Sequence, residues 1–598
     1  MQPLYNLKSI NLSHSLNLVN SSNFKGVPYL EFLFLEGCIR LCEVDPGIEV
    51  LERLTVLNLK DCKNLVHFAS SVRGLKSLKV LNLSGCSKVN KLPNDVGLLG
   101  SLEKLYLKDT GIRELPTSTR MLERLSLLNM EDCKHLLCLP SSVGGLKSLK
   151  DLNLSGCSKL DKLPDELGHV ACLKKLNVSG SGIREVPSSI GLLKNLEELS
   201  LGGCKAQSPK SWSMIFNPFQ LLLKRSCIPA RLSLACLSGL HSLTYLNLSD
   251  CNLSEEAIPI DFGCLALLRR LNLRKNQFVR LPESIGQLSR LENLQLDWCR
   301  KLRTLPELPS HVRVTLKNCI SLDTMVNQIG ECNSVLFASC VNCFKMVENE
   351  SYKRVALSLL ARYLKFRRWS SSVHFKHRTF DFIAPGNEIP EWYNHQSVGS
   401  LITVELHPGW FSKKWMGFAW CVVFRPLKPL PSSVEMNIVC SLKINGQPLA
   451  GFGKSFGFGE KCDQPKSDHI WFFYVHRDVR YPNQEWQDIH YQLVFSFSAF
   501  CLGPPGIRAL TSLQLKDVRI QEEIVQVKKC GVRMVYEEDA EEQSNVGTNT
   551  ERGLQHSDDE DDATSSSASQ AHPKRIKLLH LDGGGPGGSP YIYDQKHG

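Results

Sequence analysis

Leucines recur along the first half of the chain in short runs, spaced three and then two residues apart. The runs begin at Leu30, Leu54, Leu78, Leu102, Leu125, Leu149, Leu173, Leu196, Leu243, Leu268 and Leu291, in steps of 24, 24, 24, 23, 24, 24, 23, 47, 25 and 23. Two of the units, LNLSGCSKVNKLPNDVG (81–97) and LNLSGCSKLDKLPDELG (152–168), agree at twelve of seventeen positions. A fixed period in the twenties with an L-x-x-L-x-L-x-x-C/N core predicts one coil per unit. Within a coil, Leu152 and Leu154 alternate inward along a short strand, and the polar residues between them point out. Cys157 turns the chain, where a Cys or Asn satisfies backbone groups inside the turn. Leu160, Leu163, Leu167 and Leu173 fill the rest, and Leu163–Pro164 stops any long helix on the outer side. The L-x-L pairs exclude a purely helical solenoid. A single coil cannot cover its own leucines, so the coils must stack.

This pattern predicts an α/β leucine-rich-repeat solenoid, a horseshoe, over residues 1–325. The step of 47 reads as two coils, one hidden in an irregular insert at 205–240. Leu4–Leu12 and Val312–Cys319 read as degraded first and last units.

Beyond the repeats the periodicity changes. In ESYKRVALSLLARYLKFRRW, Val355, Leu359, Leu360, Tyr363 and Leu364 share one helix face, which predicts a helical connector within 326–374. Eight bases and no acid lie between Ser351 and Arg378. A packed helix with a solvated basic face is the favoured reading, ahead of a membrane or partner helix. From 375 to 537, short β-rich runs recur without helices between them: LITVEL (401–406), WMGFAWCVVF (415–424), VEMNIVCSLKING (434–446), HIWFFYV (469–475), IHYQLVFSFS (489–498), TSLQLKDVRIQ (511–521) and VKKCGVRMVY (527–536). They predict an all-β jelly-roll or Ig-like sandwich. Residues 538–598, with HSDDEDDATSSSASQ and GGGPGG, predict a disordered acidic tail.

Charge and cysteine usage refine the picture. The chain of 598 residues carries a net charge of +11, but residues 537–598 alone hold thirteen acids and five bases. Most of the 23 cysteines fall at the turn position of the repeat. They read as buried small side chains in a reducing compartment, not a disulfide ladder. No signal-peptide core and no membrane-length apolar run occurs. With PKRIK (573–577) as a weak import pattern, the expected location is cytoplasmic and also nuclear.

Chemical motifs are sparse. GQPLAGFGKS resembles a phosphate loop, but Pro448 stands where its first glycine is required. Cys340 and Cys343 form a lone C-x-x-C, more often structural than a zinc site. No catalytic constellation, cofactor site, metal site or small-molecule substrate site is expected. The outward strand positions are instead expected to form a protein-binding concave face. Its candidate residues are Lys104, Tyr106, Lys108, Glu131, Lys175, Glu198, Tyr245, Arg270, Arg274, Asp297 and Trp298. Mixed charge with exposed aromatics suits a protein partner better than a phosphate-tracking groove. Arg270–Trp298 is the favoured stretch.

LNLSGCSKLDKLPDELG, LRRLNLRKNQFVRLPESI, FASCVNCFKM, PGNEIPEWYNHQSVGS and KKCGVRMVY together resemble the C-terminal half of plant intracellular immune receptors of the TIR–nucleotide-binding–leucine-rich-repeat class, of the tobacco mosaic virus resistance protein N-like type. The resemblance covers about residues 1–537. It implies a recognition role in innate immunity, contacting a pathogen effector or a host guard protein through the repeats and the sandwich. The TIR and nucleotide-binding parts of that class lie outside this sequence, so their chemistry is not implied for it; a nucleotide-binding signalling chain would act in trans. An extracellular leucine-rich-repeat ectodomain and a general repeat scaffold are the competing readings.

Overall fold

The computed structural model describes residues 4–539, apart from 22–23, 70, 205–234, 255–261, 310–311, 324–336, 349–350, 370–379, 411–413, 428–434, 450–453, 459–464, 478–488 and 503–524. The 511–521 strand expectation, most of the insert and almost all of the acidic tail fall outside these residues.

Each leucine run forms a three-residue parallel strand, from Ser9–Asn11 to Arg313–Thr315. The strands pair in strict register: Leu57, Leu81, Leu105, Leu128, Leu152 and Leu176 face one another along a single column. All six are 0–1 % exposed, which is the stacked burial the spacing demands. Among the described residues the outer layer consists of 3-10 turns of three or five residues, such as Asp165–His169, entered from Pro164, and not of α-helices. The proline fixes the entry and the short return leaves no room for a longer helix.

The turn cysteines act as hydrogen-bond donors. Ten thiols between Cys38 and Cys343 each donate to a carbonyl of the preceding coil at 2.9–3.3 Å. Cys157, for example, donates to Met130 at 3.1 Å. Burial pushes the thiols of Cys62, Cys86, Cys157 and Cys251 up to about 12, which keeps the donated proton in place. Thr110 replaces one thiol and donates to Leu107 at 2.8 Å. Asn276 replaces another, donating to Leu248 and Leu273 and accepting from the Cys251 and Leu253 amides. Just before this position the backbone is left-handed, and Gly, Asp or Asn fills it in most coils, for example Asp61, Gly85, Asp132 and Gly156. A Cβ on Gly156 would lie 2.3 Å from the Asp132 carboxylate, so a larger residue at this rung would have to displace that side chain.

The 47-residue step is one coil, not two. Strand Glu198–Ser200 pairs directly with Tyr245–Asn247, with no strand between them. These two strands are therefore neighbouring rungs of the ladder.

The ladder does not stop at Arg313–Thr315. Phe337–Ser339 adds a parallel rung, and Phe380–Pro385 pairs parallel to that rung. The same Phe380–Pro385 strand pairs antiparallel with His469–His476. Trp415–Pro426, Val525–Tyr536 and His395–Val398 continue the sheet outward. Solenoid and sandwich thus share one sheet. A second sheet is built from Leu401–Leu406, Tyr491–Leu502, Glu435–Ile444 and Lys454–Phe458. Between the sheets, Phe418, Trp420, Val422, Trp471 and Phe473 pack against Val404, Leu442, Leu493 and Phe495. On the opposite face, Ala419, Cys421, Phe472 and Tyr474 join the solenoid core and helix Ser351–Trp369. Tyr363 of that helix meets Phe380 and Tyr474 edge-on or tilted, with ring centroids 5.8–5.9 Å apart. The sheet is covered on both faces, which is why WMGFAWCVVF and HIWFFYV read as near-continuous apolar runs. The basic helix is a packed connector, with Tyr352, Val355, Leu359 and Leu360 buried.

One buried polar cluster locks the junction. Asn342, in the last turn of the repeat series, donates its amide to His469 Nε2 at 3.0 Å, while His469 Nδ1 donates to the Ser467 carbonyl at 3.0 Å. Asn342 Nδ2 also donates to Asn318, and its Oδ1 accepts from the Lys466 amide. Burial pushes the His469 imidazole down to about 4.

Two outcomes follow from this architecture. Leu152→Ala should lower stability by about 2–5 kcal/mol, read from denaturant melts, because the rigid stack cannot close the cavity. The unfolded-state imidazole titrates near pH 6.5, so the unfolded chain binds a proton that folded His469 refuses. Stability should be full above about pH 6.5 and fall as the pH drops towards 4, by about 3 kcal/mol in total from this residue. His395 is also pushed down by burial and adds a contribution of the same sign. Melts between pH 7 and pH 5 should therefore show a smaller decline in His469→Gln than in the parent, and equal declines would refute the assignment.

Candidate protein-binding face

The outward strand positions form columns along the open face of the ladder, one residue per coil and about 4.8 Å apart. Several of these side chains also hold the coil together. In the asparagine column, Asn153 Oδ1 accepts from the Ser155 amide at 3.0 Å. Asn82, Asn129, Asn177, Asn247 and Asn272 repeat the bond two residues downstream. These asparagines cap the turn that leads to the cysteine.

The charged candidates pair with each other across neighbouring coils. Lys108 Nζ reaches Glu131 at 2.8 Å and Lys175 Nζ reaches Glu198 at 3.0 Å. Glu36 and Lys60 pair at 2.8 Å, and this hydrogen bond holds the Glu36 carboxyl below its usual range. Arg270 lies over the Tyr245 ring, 4.9 Å from its centroid. Burial raises the Tyr245 phenol. Lys104 and Tyr106 occupy one strand, with Tyr106 between Asn82 and Asn129 in its column.

Two candidates differ from expectation. Asp297 is 5 % exposed and accepts the Lys317 amide at 2.9 Å. Burial raises its carboxyl. Arg274 Nε stands 3.2 Å from its Oδ2, close enough for an ion pair though misaligned for a hydrogen bond. Asp297 therefore anchors its coil instead of greeting a ligand, and Arg274 is its counter-ion. Trp298 is not on the strand: it takes the left-handed turn position, φ 66°, with Arg300 over its ring at 5.1 Å.

Sequence reasoning missed an apolar group at the other end of the face. Phe32, Val56 and Val80 follow one another in one column. Before the first of these strands, Tyr29 is 40 % exposed, with Arg53 over its ring at 4.4 Å and Tyr5 at 5.8 Å. The signal was present in YLEFLFLEGC, where aromatics stand at outward positions.

The remaining motifs resolve as structure. Cys343 of the C-x-x-C is a rung of the thiol ladder, donating to Leu316 at 2.9 Å. Lys454–Phe458, after the phosphate-loop look-alike, is a strand. Among the described residues no group of three or more His, Cys, Asp or Glu side chains is placed to hold a metal. No described helix is long and apolar enough to cross a membrane.

Comparison with known families agrees with this architecture. A C-JID domain matches residues 384–541, a leucine-rich repeat region 40–161, and a further leucine-rich repeat 242–265. The chain is a leucine-rich-repeat and C-JID module. Its relatives are plant disease resistance proteins. Disease resistance-like protein DSC1 of Arabidopsis thaliana is 31 % identical over 489 residues, 78 % of this chain and 38 % of the relative. TMV resistance protein N of Nicotiana glutinosa is 33 % identical over 191 residues, 31 % of this chain and 16 % of the relative. Disease resistance protein RPS4B of Arabidopsis thaliana is 27 % identical over 490 residues, 78 % and 32 %. The chain thus spans about two-fifths or less of the length of these relatives. The C-JID match begins within the strand that closes the repeat ladder.

The two arginines of the favoured stretch separate by experiment. Arg274→Glu should cost about 3 kcal/mol, because it leaves the buried Asp297 facing a like charge. Arg270→Glu, exposed, should shift stability by less than about 0.5 kcal/mol. Adding Asp297→Asn to Arg274→Glu should recover most of the loss. Equal melting temperatures for the two single variants would refute the structural role of Arg274.

Proposed function

We propose that this chain is a recognition module of plant innate immunity that binds a protein, a pathogen effector or a host guard protein, through the open strand face and the C-JID domain. The observation that supports the reading is the face itself. The strand pairing beneath it continues into the C-JID sheet, and the face carries an aromatic–arginine pair, Tyr245 with Arg270, of the kind enriched in binding hot spots. The chain's part is recognition and not catalysis, and a nucleotide-binding signalling unit would supply the response. We place it in the cytoplasm with access to the nucleus. In support, ten turn cysteines among the described residues serve as S–H donors, a use that a reducing compartment preserves.

A two-hybrid screen against secreted pathogen proteins, followed by co-precipitation, tests this. Tyr245→Ala and Arg270→Ala should reduce capture of a true ligand at least about tenfold, while the melting temperature holds. A ligand captured equally by both variants, and by Tyr29→Ala, would place recognition off the open face.

A further inference from the structure

Acids on the open face follow one rule, and a single residue breaks it. The positions concerned are the outward residues of each strand, the residue before it and the residue two beyond it. Along the described strands from Ser9–Asn11 to Arg313–Thr315, these positions hold nine acids. Eight of them pair with a lysine or arginine of a neighbouring coil, at 2.6–3.9 Å. Asp151 is the exception. Among the described residues its carboxylate makes neither an ion pair nor a hydrogen bond. Lys175, the next residue in its column, gives its ammonium to Glu198 at 3.0 Å instead. The Asp151 carboxyl is nonetheless half-buried, and that burial pushes its titration up.

The surroundings of Asp151 give the exception a shape. Lys104, Leu127 and Asp151 follow one another in one column. A base and an acid therefore stand two strand spacings apart, about 10 Å, with an aliphatic side chain between them. Lys104 is exposed and, among the described residues, pairs with no acid. Leu127 is half-buried. Lys150, just before the strand, is exposed and leaves the Asp151 carboxylate unpaired. Tyr106, Asn129 and Asn153 line the neighbouring column, and both asparagines are held by the turn amides they accept. This is the stretch of the face where the ladder does not consume its own charge.

We infer that the centre of the open face docks an α-helix of the partner protein, its acid on Lys104, an aliphatic side chain on Leu127 and a base on Asp151. This rests on the reading of the open face as a protein-binding surface and specifies the chemistry of its ligand. On a helix, residues i, i+3 and i+7 share one face and lie about 4.5 and 10.5 Å along the axis. The column offers about 4.8 and 10 Å. An extended peptide fits less well, because its side chains on one face are about 7 Å apart. A partner sheet has the spacing but not the room: its strands of about 17–20 Å would overrun strands of three residues. A nucleic-acid backbone would set phosphate against Asp151. The ligand's base supplies the counter-ion that the half-buried carboxylate lacks, as a charge-assisted hydrogen bond.

The test uses the full chain and two fluorescent, end-capped alanine–glutamine helices of about twenty residues, their helicity checked by circular dichroism. One carries Glu, Leu and Arg at i, i+3 and i+7; the other has Gln in place of Arg. In anisotropy titrations the arginine peptide should bind at least about tenfold more tightly than the glutamine peptide. Asp151→Asn should weaken the arginine peptide at least about fivefold and leave the glutamine peptide within about twofold, the signature of a direct pair. Glu52→Gln, an equal charge change off the open face, should leave both peptides within about twofold. The melting temperature of Asp151→Asn should hold or rise, because the carboxylate gives up no partner. Equal affinities of the two peptides, equal losses for both in Asp151→Asn, a lowered melting temperature in that variant, or no binding at about 1 mM would overturn the inference. If peptide binding fails while ligand capture still depends on Tyr245, only the docked helix is overturned; if both fail, the face itself is.

Discussion

A coil of this protein cannot bury its own leucines. Each one presents a flat apolar edge to its neighbour, and the stack exists because the next coil covers that edge. The same constraint reaches the backbone. Closing each turn leaves carbonyls buried between coils, where an unpaired group is costly. The thiol of the following coil adds a second donor to such a carbonyl, as Cys157 does for Met130, which also accepts the Cys133 amide. Leucine register and thiol register are therefore one requirement, and they explain why the period drifts by no more than one residue over most of the array. They also explain the substitutions that are allowed. Thr110 and Asn276 keep a donor at the turn, and alanine would not.

A stack held this way needs something to end it. At the C-terminal side the answer is covalent and continuous: Phe380–Pro385 serves at once as the last parallel rung and as a strand of the sandwich sheet. The solenoid core and one face of that sheet merge, with helix Ser351–Trp369 packed over the same face. The junction is then fixed in register by Asn342 and His469, whose neutral imidazole accepts on one nitrogen and donates on the other. A neutral, buried, doubly engaged histidine specifies one arrangement of the two modules, since any shift strands a polar group on each side.

How much of this was legible in the chain follows from what is local and what is not. The strand columns, the cysteine turns and most sandwich strands were legible, because each depends on residues within one coil or one strand. The 47-residue step was misjudged because period alone cannot tell a skipped coil from a lengthened one; only the pairing of Glu198–Ser200 with Tyr245–Asn247 decides. Asp297 was misjudged because its burial depends on Lys317 in the next coil and on Arg274 in the previous one. The asparagine caps were hidden by their position on the outward face, where a polar residue looks idle. The partnership of Asn342 with His469 spans 127 residues and has no periodic signature.

The stacking constraint also shapes the binding face. Parallel strands in register place equivalent side chains of successive coils in column, close enough for like charges to repel through water and protein. A chain that stacks well therefore alternates sign down a column, as Glu36 with Lys60, Lys108 with Glu131 and Lys175 with Glu198 do. Those pairs are exposed and contribute little stability singly, yet they cancel the field of the face. Arg269, Arg270 and Arg274 break the rule by placing three cations on one coil. Stacking does not call for that concentration: one acid of the next coil answers Arg269, a buried one answers Arg274, and Arg270 is held by an aromatic ring. Charge that the fold does not need for its own cohesion is the charge available to a ligand.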